Sequence, residues 1–205
     1  MKYNGPKARK CRRHGMNLYA SDKYDKILQR KPYGPGKGPK TRAPRDSEYC
    51  KQLKEKQRAR DMYVMSERQF QRLYREASRA KGRTGDQMKQ LLEQRLDNLL
   101  YRSGFAVTRL QARQFAGHGL FLVDGQRVTS PSYRVQPGEV VTIRAQVKDS
   151  PIIVANLEKN DKYLAPKWLK VNAAARTVEV VALPTPEDGE QAVDMRQVVE
   201  FYSRT

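Results

Sequence analysis

The chain has 205 residues, with 41 Lys or Arg against 22 Asp or Glu and a formal net charge of +19. Such a surplus repels itself unless a polyanion neutralises it, which puts nucleic acid first among partners. A membrane is not expected, because the sequence has neither a long apolar run nor a signal-like start. Two cysteines, Cys11 and Cys50, exclude a disulfide framework and fit a reducing cytoplasm.

The charge is uneven. Residues 1–83 hold 25 of the 41 basic side chains but only 8 of the 22 acidic ones. Within them, residues 1–45 are rich in Lys, Arg, Gly and Pro, and few apolar side chains can offset the entropy of ordering. This stretch therefore reads as an extended basic arm that orders on a partner, with Arg9, Lys10, Arg12, Arg13, Arg42 and Arg45 as candidate contacts. "GPGKGPKT" (34–41) is not a phosphate loop: Pro39 stands where the last glycine belongs, and Pro35 and Pro39 lack N–H donors.

From Asp46 the pattern turns helical, with Lys51, Lys54 and Arg58 at i, i+3 and i+7. Ser66, followed three residues later by Gln69, is a capping box that opens a second helix. Phe70, Leu73, Tyr74 and Ala77 form its apolar face, while Arg68, Arg72, Arg75 and Arg79 recur on another. A run of charge is commonly only a solvated face. Here four arginines share a stripe with a single nearby acid, Glu76, which favours phosphate binding. Residues 85–104 read as one leucine-periodic helix through Met88, Leu92, Leu96 and Leu99, stopped by Gly104.

"TRLQARQFAGHGLFLVDGQRV" (108–128) follows: a helix capped by Thr108 and Gln111, with Leu110 and Phe115 inward, ended by Gly117 to Gly119. A strand, an Asp-Gly turn and a strand complete it. "PSYRVQPGEVVTIRAQV" adds a turn at Pro137-Gly138 and another strand, "ARTVEVVALP" a further strand, and "TPEDGEQ" an acidic loop. In "DMRQVVEFYSR", Met195, Val198, Val199 and Tyr202 make one apolar face on a short helix that must dock to be stable, with the leucine-periodic run before Gly104 as the expected receiver.

"RLDNLLYRSGFAVTRLQARQFAGHGLFLVDGQRVTSPSYRVQPGE" resembles the RNA-binding module named after small-subunit ribosomal protein S-four. "YVMSERQF", "GRTGDQMKQLLEQRLDN" and "VVEFYSR" extend the resemblance to the bacterial S-four ribosomal protein family over nearly the whole chain. It implies a structural protein of the small ribosomal subunit that binds a multi-helix junction near the 5′ end of the rRNA early in assembly. It also implies contact with the neighbour S-five, an influence on translational accuracy and, in some members, repression of the protein's own mRNA. Carried over by position, the RNA face falls on Arg109, Arg113, His118, Arg127 and Arg134. Guanidinium forks on a rigid helix suit RNA, which is read mainly through phosphates, shape and 2′-hydroxyls. His118 is open between RNA contact and a backbone bond, and Tyr133 between core packing and base stacking.

Many members hold zinc with four N-terminal cysteines. This chain keeps Cys11, has Ala8 three residues earlier and lacks the later pair, so neither metal nor any other cofactor is expected. An RNA-modifying enzyme using the same module is the alternative, since Arg95-Leu96-Asp97 resembles a catalytic-aspartate motif. Nothing else in the chain supplies a cleft or a catalytic constellation. A DNA-binding regulator lacks a reading helix and a dimerisation signal. The expected fold is α+β: the arm (1–45), a helical lobe (46–94, with 194–205 docking back) and an α/β lobe (95–193) whose module spans about 95–158.

Overall fold

The structure is a computed structural model that describes residues 3–36, 38, 45–160, 164–172 and 174–204. It divides into two compact units, Met1–Met88 with Glu190–Thr205, and Lys89–Gly189.

In the first unit the expected extended arm is corrected. Residues 3–36 contain helices α1 (Lys7–His14) and α2 (Asp22–Arg30), and α1 packs on α2 and on α3 (Glu48–Met62). Cys11, Leu18 and Tyr19 are buried, so three well-placed side chains give this basic stretch a local core. A buried carboxylate adds to it. Buried Asp61 on α3 accepts from Lys10 Nζ at 2.6 Å and Arg60 Nη2 at 3.2 Å, and His14 Nε2 stands 3.6 Å away. Arg42 lies outside the described residues.

Ser47 caps α3 by accepting from the Cys50 N–H. Ser66 caps α4 (Glu67–Ala77) by accepting from the Gln69 N–H, as the sequence predicts. Helix α5 (Thr84–Glu93) follows. The closing helix, α9 (Met195–Ser203), packs chiefly on α3 and α4 rather than on residues 85–104. Tyr202 stacks on Tyr74 with ring centroids 4.8 Å apart, and its hydroxyl donates to Glu67 at 2.7 Å. Glu67 also receives Lys56 at 2.7 Å and Arg60 at 2.9 Å, and the buried Lys56 ammonium lies 4.7 Å over the Phe201 ring.

In the second unit the single leucine helix expected over 85–104 is corrected to two, α5 and α6 (Leu96–Arg102). At the break the backbone bonds elsewhere. Val135 N–H donates to Gln94 O, Leu96 N–H to Tyr133 O and Asp97 N–H to Pro131 O, and Arg95 bridges Arg134. Helix α7 (Arg109–His118) then leads into β1 (Phe121–Val123) and β2 (Gln126–Arg127). Asp124 and Gly125, both at positive φ, make the expected two-residue hairpin turn.

Strand β3 (Val140–Ile143), β4 (Leu169–Asn172) and β5 (Thr177–Val180) complete an antiparallel sheet in the order β2-β1-β3-β5-β4. Helix α8 (Pro151–Lys159) and β4 have no counterpart in the sequence reading. Leu96, Leu99, Leu100, Phe105, Phe115, Phe121, Val141 and Val178 are buried in one core under α6 and α7. The architecture is α+β.

Candidate nucleic-acid interface

The arginine stripe of α4 has the geometry of an anion-binding face. Phe70, Leu73 and Ala77 are buried, and Tyr74 is held by Tyr202, which fixes the rotation of the helix about its axis. Arg68, Arg72 and Arg75 are then exposed together, and Arg79, just beyond the helix, is exposed too. Steps of three and four residues at 1.5 Å each space these side chains by roughly 5–6 Å along one face. Lys81 and Arg83 extend the exposed basic surface past the helix end. Neither follows a helical period, so neither stands out in the sequence.

The α3 cations stand differently. Lys51 bonds Glu48 at 2.6 Å, Lys54 bonds Asp46, and Arg58 pairs with Glu55 at 2.6 Å. Neighbouring carboxylates thus offset the i, i+3, i+7 pattern. In the N-terminal segment Arg9, Arg13 and Arg45 are exposed. Lys10 is held by Asp61, and Arg12 donates to Tyr33 O at 3.1 Å and Gly34 O at 3.3 Å with its guanidinium over the Tyr33 ring. Both hold the fold together.

The two arginines of α7 separate into different roles. Arg109 is buried: Nε donates to Asn98 Oδ1 at 2.9 Å, and the guanidinium lies 4.4 Å over the Tyr101 ring. Asn98 in turn donates to Glu93 at 2.7 Å, and Arg102 Nε donates to Glu93 at 2.9 Å. The expectation of an exposed RNA fork at Arg109 is therefore corrected. Its charge belongs to an interior network, because a buried cation needs partners. Arg113, one turn on, keeps 20% of its side chain exposed and donates from Nη1 to Asp97 at 2.9 Å. That same carboxylate also receives the buried Arg95. Asp97, which the sequence placed in a stretch resembling a catalytic-aspartate motif, is an ion-pair residue.

Beyond α7, His118 is exposed and its carbonyl accepts from Arg127 Nη2 at 3.0 Å. Gly119 turns the chain there at φ +63°, and a Cβ on it would sit 2.5 Å from Arg127 Nε, so glycine lets the Arg127 side chain lie across the end of α7. Arg134 is half-buried in the bridge to Arg95. Tyr133 packs against the core, and its hydroxyl donates to Glu139 at 2.5 Å. That bond, with burial, pushes the phenol up to about 12. Tyr133 is a packing residue, not an open stacking platform. Among the described residues no group of three or more metal-ligating side chains comes together, and no helix is long and apolar enough to cross a membrane.

Comparison with known proteins matches residues 2–93 to the ribosomal protein S4/S9 N-terminal domain and residues 94–141 to the S4 domain. The chain belongs to the ribosomal protein S4 family. It is 44% identical to the small ribosomal subunit protein uS4 of Cutibacterium acnes, covering 99% of both chains. It is 42% identical to the protein of that name from Thermus thermophilus, again over 99% of each. The Borrelia duttonii protein is 37% identical, over 97% of this chain and 96% of its own. These relatives are named as ribosomal proteins, and the enzyme alternative is set aside. In S4-family terms the α4 stripe lies in the N-terminal domain, and α6, α7 and the hairpin make up the S4 domain.

Proposed function

We propose that this protein is a structural constituent of the small ribosomal subunit, in the cytoplasm, and binds the subunit's rRNA at a multi-helix junction of the 5′ domain early in assembly. The observation that carries the reading is the set of three exposed arginines, Arg68, Arg72 and Arg75, on the side of α4 away from its buried face, with exposed Arg79 just beyond the helix end. A rigid helix presenting several guanidiniums loses little freedom when it meets a backbone of phosphates. Arg113, His118 and Arg127 supply a second set of contacts from the S4 domain. Family membership further supports contact with the neighbouring protein S-five, an influence on translational accuracy, and recognition of the protein's own mRNA.

The test is titration of the full chain with a 5′-domain rRNA transcript and with an unrelated structured RNA of equal length. The wild type prefers the rRNA, and changing Arg68, Arg72, Arg75 and Arg79 together to Gln flattens the slope of log K against log salt by roughly 3. A variant with an unchanged slope refutes the stripe as the phosphate contact. A wild type with no preference refutes the rRNA assignment.

A further inference from the structure

We propose that Asp97 is a positioning residue that holds the Arg113 guanidinium ready for RNA, an inference that rests on the RNA-binding reading above. The carboxylate is itself anchored. Asp97 stands in the first turn of α6, its N–H donates to Pro131 O at 3.1 Å, and its side chain is only 7% exposed. Arg95, 6% exposed, donates to both oxygens, from Nε at 3.1 Å and from Nη2 at 3.0 Å. Neutralising Arg95 therefore already engages the whole carboxylate.

The third bond, from Arg113 at 2.9 Å, adds nothing that Arg95 requires. It acts on Arg113, a long side chain at the protein surface that would otherwise sample several rotamers. One of the five guanidinium N–H donors is engaged by Asp97, and the others can serve a phosphate or a 2′-hydroxyl. One carboxylate between two guanidiniums leaves a net positive charge, so the group still attracts an anion. Arg109, on the same helix, has no such part, because its guanidinium is inside the Asn98 and Glu93 network.

A double-mutant cycle on the full chain, with the 5′-domain transcript as probe, separates positioning from general support of the fold. Asp97→Asn should weaken binding roughly three- to tenfold when Arg113 is present, the worth of one pre-ordered side chain, and less than about twofold when position 113 is Ala. Equal losses in the two backgrounds overturn the proposal, because a structural role does not depend on Arg113. If Asp97→Asn does not fold, Asp97→Glu replaces it in the same cycle: the charge facing Arg95 stays, the oxygen facing Arg113 moves, and the same pair of outcomes decides. A wild type that fails to prefer the transcript over a competitor RNA instead refutes the RNA-binding reading itself.

Discussion

Arg109 and Arg113 are one turn apart on the same helix and look alike in the sequence, yet their surroundings give them opposite costs of removal. Arg109→Ala takes a guanidinium from Asn98 and Tyr101 in the interior and should lower stability by about 2 kcal/mol. Arg113→Ala removes one bond from a part-exposed side chain and should cost under about 1 kcal/mol. Chemical denaturation of the two single variants checks the order, and equal losses would contradict it. Asp61 gives a pH dependence. Burial pushes its carboxyl up, but His14 beside it, the bonded Lys10 and the Arg60 charge outweigh that and hold it at about 2. A depressed carboxyl contributes stability above its unfolded pKa and loses it as pH falls to the folded one. The seating of α1 on α3 should therefore weaken between about pH 4 and pH 2. Asp61→Asn should remove that dependence, as followed by the acid limb of thermal unfolding.

Among the elements, α9 is the clearest case of a helix stabilised by its receiver. Burial of Met195, Val198 and Phe201 contributes on the order of 5 kcal/mol before ordering costs, far more than nine isolated residues could supply as a helix. Truncation after Val193 should raise amide exchange in α3 and α4, where Phe70, Tyr74 and Lys56 lose their cover, and leave β1, β2 and β3 protected. Unchanged exchange in α3 and α4 would contradict the packing. Elements governed by local rules were legible in the sequence: the Ser66 and Thr108 caps, the apolar face of α4 and the Asp-Gly hairpin all depend on residues within a few positions. The break between α5 and α6 was not. It is made by backbone bonds to residues 131–135, more than thirty positions away, while the leucine period runs straight through it. The N-terminal helices were missed for a related reason. Composition counted their few apolar residues, but Asp61, fifty residues along, holds Lys10 of α1. The same limit applies to the site, since exposure separated the α4 stripe from Arg109 and no spacing could.

At the scale of the whole molecule, the large positive surplus is not uniformly available. Part of the basic charge is offset in Lys10–Asp61, Lys56–Glu67 and Arg102–Glu93 pairs, which hold elements together. Among the described residues, exposed basic side chains stand on α4 and the turn after it, on Arg9 and Arg13 of α1, on Lys23, Lys26 and Arg30 of α2, and at Arg127 beyond α7. Fixed groups of guanidiniums on folded surfaces favour a shaped RNA, whereas charge alone would bind any polyanion. The most direct measurement is crosslinking of the full chain to total cellular RNA, with sequencing of the partners. One dominant site in the 5′ domain of small-subunit rRNA is expected, lost on changing Arg68, Arg72, Arg75 and Arg79 together to Gln. Crosslinks scattered over many mRNAs or centred on tRNA, with no rRNA peak, would contradict it.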